Sequence, residues 1–348
     1  MKKIYLLSTA FLFLLAACSS PVKKDTADSK KPTTADSTFA AAGKVERLDP
    51  KLDELISPDA KIEVLTKDQF IWSEGPLWVS ELDAVIFSDV PANKIYRWDE
   101  RNGLALYLTP SGTSGQDVSP NESGSNGLTM NLQQQLVLAQ HGNRQVSVME
   151  APLDQPAAVF TSLASEFEGK KLNSPNDVIF DSKGNLYFTD PPYGLSGQDG
   201  SADKELEVNG VYKVDTDGNI TLLTDQLTRP NGLALSPDGK TLYVANSDAS
   251  RAIWMEYRLS ESGIESEKLF FDATAMVPEK KGLPDGLKVD DAGYVYATGP
   301  GGVLVFDPAG KHLGTIDTGQ ATANCTFNPD KSILYMTAHK FLMRIKLR

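Results

Sequence analysis

Short runs of alternating apolar and polar residues recur along the chain from about Ala60 to the C-terminus. Six of them are rich in aromatic and β-branched residues: VIFSD, LVLAQ, NLYFTD, TLYVAN, YVYATG and ILYMTA. Period-two alternation bounded by turn sequences such as Ser236–Gly239 is typical of β-strands. The pattern therefore predicts a main domain built from strands.

These runs belong to an internal repeat, because a short motif precedes each of them. The aligned motif residues lie 39 to 55 positions apart and are Glu74, Asn126, Asn176, Asn231, Asp285 and Asn324. Third and fourth strands follow in several repeats, as in KIYRWD and LALYLT. Six units of about four strands predict an all-β fold, a six-bladed β-propeller. A solenoid is the alternative, but the repeats have no distinct caps, which favours a closed ring.

The last repeat ends after its third predicted strand, Phe341–Lys346. The segment Lys61–Leu65 lies just before the first repeat and could supply the missing fourth strand. Such pairing would join the two ends of the ring and remove its exposed edges. We therefore expect an N-terminal strand to close the last blade.

Two rings of residues are predicted at one end of the central channel, where inner strands begin and second strands end. The first ring consists of the six motif residues, and each of them carries a carboxylate or a carboxamide. The second ring consists of Asp89, His141, Asp190, Asn246, Gly299 and His339. Asn and Asp also cap turns by bonding to nearby backbone, which is the structural alternative. Convergence on one axis favours a binding site.

Oxygen donors of this kind suit a hard cation such as calcium or magnesium. Zinc is less favoured, because the chain has only three histidines and none of them form a pair with helical metal spacing. The formal net charge of −12, without a segregated basic stripe, argues against a nucleic-acid partner.

The first residues read as a targeting segment, with Lys2 and Lys3, an apolar run and then Leu15-Ala16-Ala17-Cys18. This ending resembles a bacterial lipobox, in which the cysteine is lipidated; an ordinary cleaved signal is the alternative. We expect a signal peptide over residues 1–17, a lipidated Cys18 with a flexible tether over 18–45, and the propeller over 46–348. The protein would then be exported and anchored to a membrane, the outer one if the host has two. Cys325 would be left as a small buried hydrophobe.

Several motifs together resemble the gluconolactonase branch of the SMP-30/gluconolactonase/regucalcin-like family. They are Glu74-Gly75-Pro76, Ser174–Asp177, Arg229–Gly232, Pro284–Gly286, His141–Arg144 and Asp190–Gly194. The resemblance covers Ala60 to Arg348. It implies a six-bladed propeller with a divalent metal, usually calcium, and hydrolysis of lactones or, in one branch, of organophosphates.

The resemblance also implies roles for individual residues. The metal ligands would be Glu74, Asn176, Asn231 and Asp285, with Mg²⁺, Mn²⁺ or Zn²⁺ as alternatives to Ca²⁺. Asn126, from the first ring, His141 and Tyr193 are the expected substrate contacts. For His141 the alternatives are a contact with water on the metal or a hydrogen bond to a backbone group, and for Tyr193 the alternative is core packing.

In the expected mechanism the metal polarises the lactone carbonyl as a Lewis acid. Asp285 would act as general base or as nucleophile, and the sequence leaves both open. Two other functions remain: a phosphotriesterase using the same site, and a calcium-binding scaffold without enzymatic activity.

Overall fold

The strands form six antiparallel sheets arranged in a ring, in a computed structural model that describes residues 39–113 and 122–348. The innermost strand of each sheet contacts the innermost strand of the next, and that of the sixth contacts that of the first. The predicted six-bladed propeller is confirmed, and the solenoid is excluded.

The blades follow one another along the chain, and within each blade the strands run from the channel outwards. Blades 1 to 3 consist of Ser73–Val79, Ala84–Asp89, Lys94–Asp99 and Gly103–Leu108; Ser125–Met130, Leu136–Gln140, Gln145–Met149 and Phe160–Ala164; and Val178–Phe180, Leu186–Asp190, Gly210–Val214 and Ile220–Thr224. Blades 4 to 6 consist of Pro230–Leu235, Thr241–Asp248, Arg251–Ser260 and Gly263–Asp272; Leu287–Val289, Val295–Gly299, Gly302–Phe306 and His312–Asp317; and Asn324–Phe327, Ile333–Ala338, Phe341–Lys346 and Ile62–Thr66.

Few other elements are present among the described residues. They are the α-helix Leu52–Leu55, the 3₁₀ helices Ser80–Leu82, Gln198–Gly200 and Thr274–Met276, the hairpin strands Glu166–Phe167 and Lys170–Lys171, and the N-terminal strands Ala40–Ala42 and Lys44–Arg47. In this part of the chain no helix is long and apolar enough to cross a membrane.

The N-terminal strand closes the ring as expected. Ile62–Thr66 pairs with Phe341–Lys346, with Thr66 opposite Leu342 and Ile62 opposite Ile345. Arg344 reinforces the pairing, because its Nε donates to Glu63 Oε2 at 2.6 Å. Closure of blade 6 by the N-terminal strand therefore joins residues that lie about 280 positions apart in sequence.

The folded part begins earlier than the sequence analysis expected. Ala40–Ala42 pairs with Ile62–Thr66 on blade 6, and Lys44–Arg47 pairs with His312–Asp317 on blade 5. Between them, Gly43 has a φ of +67°, and a Cβ there would lie 1.9 Å from the Asp317 carbonyl oxygen. Residues 40–45 therefore belong to the propeller and not to the tether. We call residues 40–47 the N-terminal strap. The predicted signal peptide and Cys18 lie outside the described residues.

The hydrophobic core is divided into six clusters, one between each pair of neighbouring blades. Between blades 6 and 1, Trp78 stacks on Tyr335 with ring centroids 5.7 Å apart. Between blades 4 and 5, Trp254 meets Phe306 edge to face. Cys325 is a buried free cysteine in the cluster between blades 5 and 6, as expected. Each blade is therefore stabilised by its neighbours, and an open ring would expose two apolar faces.

Stepwise N-terminal truncation tests the two closing elements. A chain that starts at residue 39 should keep the melting temperature of the full chain. A chain that starts at residue 48 loses the strap and should melt about 4–10 °C lower. A chain that starts at residue 68 also loses the closing strand and should show no cooperative transition. Circular dichroism melts check this, and equal melting of all three chains would contradict the assigned roles.

Candidate functional site

Buried hydroxyl groups link neighbouring blades at the end of the channel where the first ring lies. Each hydroxyl is on a second strand and donates to a backbone carbonyl at the start of the next inner strand. Ser88 bonds to Asn126 O at 2.9 Å, Thr189 to Asn231 O at 2.7 Å, and Thr298 to Ala323 O at 2.8 Å. These bonds fix the position of each inner strand along the channel axis, so that the first-ring residues lie at the same position along that axis.

Glycines allow the inner strands to approach one another closely at this level. A Cβ on Gly232 would lie 2.3 Å from Asp285 O, and one on Gly286 would lie 1.9 Å from Asn324 Cγ. In blade 3 the equivalent position is Asp177, which is buried. Its carboxylate accepts from the backbone N–H of Val178 at 2.9 Å and of Leu233 at 3.2 Å. Asp177 thus holds the inner strand of blade 4 next to Asn231.

The first ring is buried, as a site at the channel mouth requires. Glu74, Asn126, Asn176, Asn231 and Asn324 are each at most 5% exposed, and Asp285 is partly exposed. Glu74 Oε1 accepts from the Trp72 indole at 3.3 Å and Oε2 from Gly75 N at 3.0 Å. Asn324 is occupied locally, since its Oδ1 accepts from Cys325 N.

Carboxyl groups in this site repel one another. Burial raises the pKa of Glu74 to about 8, and the charges of Asp177 and Glu122 add to the rise. Burial also raises the pKa of Asp285 well above its ordinary value, followed by the charges of Glu74, Asp177 and Glu122. Four carboxyl groups therefore lie near one another in a region of low polarity: Glu74, Glu122, Asp177 and Asp285. A bound cation would stabilise their ionised forms.

The donor set fits a hard divalent cation. Glu74 and Asp285 offer carboxylates, and Asn176 and Asn231 offer carboxamide oxygens, which is the chemistry that calcium prefers. Among residues 39–113 and 122–348 no three His, Cys, Asp or Glu side chains form a metal-binding group. The expected ligand set has only two residues of these types, Glu74 and Asp285, because its other two members are asparagines. The absence of such a group therefore does not count against it.

Tyr193 lies beside the first ring. Burial raises its pKa, and polar contacts with Ser247 and with Asn231 oppose the rise. The loop that carries it is fixed by Ser174, whose Oγ donates to Pro191 O at 2.6 Å and accepts from Gly194 N at 2.9 Å. The side chain expected to contact substrate is therefore held in place at the site.

The same loop covers His141. A Cβ on Gly194 would lie 2.8 Å from His141 Cβ, so only glycine allows this contact. His141 is 1% exposed, and its Nδ1 lies 3.6 Å from Glu122 Oε2. Burial lowers the pKa of His141 to about 4, and the Glu122 backbone partly opposes this fall because it favours the charged imidazole. Burial raises the pKa of Glu122 to about 7.

The second ring differs from the expectation that it converges on the channel. Asp89 accepts from the backbone N–H groups of Ile71 and Trp72, and Asp190 accepts from those of Asn173 and Ser174. Asn246 Oδ1 does the same for Arg229. These three residues cap the segment that leads into the inner strand of their own blade, so turn capping was the correct alternative for them.

His339 packs against Trp72, with ring centroids 5.5 Å apart. Its carbonyl oxygen accepts from Ser73 N at 2.8 Å, which joins blade 6 to blade 1. Gly299 contributes no side chain.

Sequence reasoning missed Trp72, Glu122, Asp177 and Lys288. Asp177 departs from the repeat, and this departure could have identified it. The residue that follows the first-ring residue is glycine in four other repeats: Gly75, Gly127, Gly232 and Gly286. Burial raises the pKa of Asp177, and the charge of Lys288 opposes that rise. Lys288 also donates to Asn324 Oδ1 at 3.5 Å. No repeat signal marks Trp72 or Glu122, which lie in loops before the inner strands.

The capping role of the second ring can be tested with Asp190→Asn. The substitution puts an amide NH₂ against one of two buried backbone N–H donors, which should lower the free energy of unfolding by about 1–3 kcal/mol. Urea denaturation measures the change, with Asp217→Asn on an exposed turn as the matched control. Unchanged stability of Asp190→Asn would contradict the capping role.

Comparison with known proteins agrees with this architecture. The chain is 37% identical over 317 residues to a gluconolactonase of Zymomonas mobilis subsp. mobilis, covering 88% of this chain and 86% of that protein. A solved gluconolactonase from Xanthomonas campestris aligns with a TM-score of 0.76 at 31% identity, over 89% of this chain and 98% of its own.

A calcium-binding regucalcin from Agrobacterium tumefaciens shares the fold, with a TM-score of 0.60 at 18% identity over 82% of this chain and 93% of its own. The family model described as SMP-30/Gluconolactonase/LRE-like region matches residues 72–340. Because that match spans most of the propeller, the chain belongs to the SMP-30/gluconolactonase/LRE-like family.

Proposed function

We propose that this protein is a lactone hydrolase that opens sugar lactones such as gluconolactone at the channel mouth, with the help of a divalent cation. The observation that carries the proposal is the electrostatic interaction of the buried Glu74 carboxyl with Asp285, in a ring that also contains Asn176 and Asn231. The similarity to gluconolactonases supports the substrate class.

Glu74, Asn176, Asn231 and Asp285 are the residues that would hold the cation. Calcium is the proposed ion, because the set consists of oxygen donors and because a calcium-binding regucalcin shares the fold. Mg²⁺, Mn²⁺ or Zn²⁺ are the other candidates to test. When bound, such a cation supplies a Lewis acid that polarises a carbonyl group.

Asp285 is the proposed catalytic residue. As a general base it accepts a proton from the water that attacks the lactone carbonyl carbon, and it returns this proton to the ring oxygen when the tetrahedral adduct collapses and the ring C–O bond breaks. Burial and then the neighbouring carboxyl groups raise the pKa of Asp285, and a bound cation would lower it and keep the group ionised, ready to accept that proton. As a nucleophile it would instead form an acyl-enzyme, which water then hydrolyses.

Substrate positioning is proposed for Asn126, His141 and Tyr193. The Asn126 carboxamide is buried in the first ring, and Tyr193 is fixed by its loop. Together they would hold a polyhydroxylated ring with its carbonyl towards Asp285.

Proton release from a panel of aldonolactones, with chelator or with added calcium, tests this function. Asp285→Asn should lower kcat by at least about 100-fold, because the proton acceptor is lost. Asp291→Asn on an exposed turn is the control and should keep full activity. Full activity of Asp285→Asn, or turnover that chelator does not reduce, would contradict the assignment.

Two other results would change the proposed function. Turnover of phosphotriesters without turnover of lactones would indicate the organophosphate-hydrolysing reaction. Calcium-enhanced melting without turnover of either class would indicate a binding scaffold.

We also propose that the protein is exported and anchored to a membrane through a lipid on Cys18. The Lys2-Lys3, apolar and Leu-Ala-Ala-Cys sequence supports this. Cys18→Ala should move the protein from the membrane fraction to the soluble fraction, as followed by immunoblotting. Cys325→Ala replaces the other cysteine and should stay with the membrane. Equal membrane association of Cys18→Ala would contradict lipid anchoring.

A further inference from the structure

His141 is a buried polar side chain whose hydrogen-bonding groups are not used. By hydrogen-bond geometry neither ring nitrogen has a partner in the described ranges, although the residue is only 1% exposed and the Glu122 backbone is near enough to oppose the effect of burial on the pKa of the ring. Buried polar groups in native proteins are nearly always paired, and an exception requires an explanation. At the wall of a binding site, a ligand that supplies the partner is such an explanation.

The position of His141 is fixed by backbone contacts on two sides. The backbone N–H of His141 donates to Gly124 O at 3.1 Å, and a Cβ on the next residue, Gly142, would lie 2.5 Å from Ser123 O. On the other side Gly194 packs directly on the His141 side chain. The imidazole is therefore held between the segment 122–124 and the loop that carries Tyr193.

Glu122 connects this imidazole with the first ring. Its Oε2 lies 3.6 Å from His141 Nδ1, and its charge affects both Glu74 and Asp285. Glu122 therefore lies within electrostatic range of the proposed catalytic carboxylate while facing the imidazole. Its side chain is 36% exposed, so a ligand can reach this part of the site.

We propose that His141 and Glu122 form a recognition pair for a ring hydroxyl of the lactone, and that this pair selects sugar lactones over lactones without hydroxyls. The inference rests on the proposed lactone hydrolysis. His141 contacts the substrate, and Glu122 is a positioning residue that acts through His141.

The chemistry of the pair follows from the neutral imidazole. Burial keeps His141 uncharged at neutral pH, so it carries one N–H. When Nδ1–H points to the Glu122 carboxylate, Nε2 is left as an acceptor for a substrate hydroxyl. A lactone without that hydroxyl leaves a buried acceptor unpaired. Sites built around such hydrogen bonds reject analogues that lack the partner.

Two substrates with the same ring separate recognition from catalysis. Glucono-δ-lactone carries ring hydroxyls and δ-valerolactone does not. In His141→Ala, kcat/KM for gluconolactone should fall by about 30-fold or more, mainly through KM, while that for δ-valerolactone changes by less than about threefold. His141→Gln keeps a hydrogen-bonding group and should restore part of the loss. Glu122→Gln should lower kcat/KM for gluconolactone alone.

The matched control is His312→Ala. His312 is also largely buried, but its Nε2 is paired with Gly314 O at 2.9 Å on the outer strand of blade 5. This variant should leave the ratio of the two kcat/KM values unchanged. An equal fall for both lactones in His141→Ala would show a packing role, and no change in either would show that the pair does not contact substrate. Both results overturn the inference.

A binding measurement keeps the inference separate from the proposed function. 1,5-Anhydroglucitol has the ring and hydroxyls of the sugar lactone but no carbonyl group. Calorimetry of the calcium-loaded full chain should detect its binding to the unsubstituted protein and a weaker affinity for His141→Ala. Such binding without lactone turnover would reject the proposed function alone. Equal affinity of both proteins, or no binding to either, would reject the recognition pair.

Discussion

Close packing of the inner strands at the channel mouth is the constraint on which the site depends. Gly232 and Gly286 leave no room for a Cβ against the neighbouring strand, and hydroxyls such as Thr189 bond across to the next blade. The strands therefore cannot slide or separate without losing buried hydrogen bonds. This packing holds two carboxyl groups, Glu74 and Asp285, in a site where neither is easily ionised without a counter-charge.

Much of the fold could be predicted because it is repeated and because its periodicity is local. The six motif residues and the alternating second strands determine the number of blades, and the missing strand of the last repeat indicates how the ring closes. The strap could not be predicted, since Ala40–Ala42 has no apolar alternation and pairs only because two blade edges are available. Its stability comes from the edges, which a sequence window does not contain.

The positions of the first-ring residues could be predicted because the backbone repeat determines them, whereas the residues that tertiary contacts bring beside the ring were missed. The opening residue of every inner strand lies at the same level by symmetry, so the first ring could be identified from spacing. Asp89 and Asp190 also lie at equivalent positions, but the side-chain direction depends on nearby N–H groups that the spacing does not reveal. Glu122 reaches the site from a loop outside the repeat.

Ring closure by the first and last strands also constrains when the protein can fold during synthesis. Thr66 is made first, and its partner Leu342 follows 276 residues later. Until then blade 6 lacks its inner strands, and the apolar faces of blades 1 and 5 have no neighbour to cover them. Contacts of such sequence separation form slowly. The nascent chain therefore stays an open ring until Phe341–Lys346 has emerged, which leaves time for a chaperone to bind it before it closes.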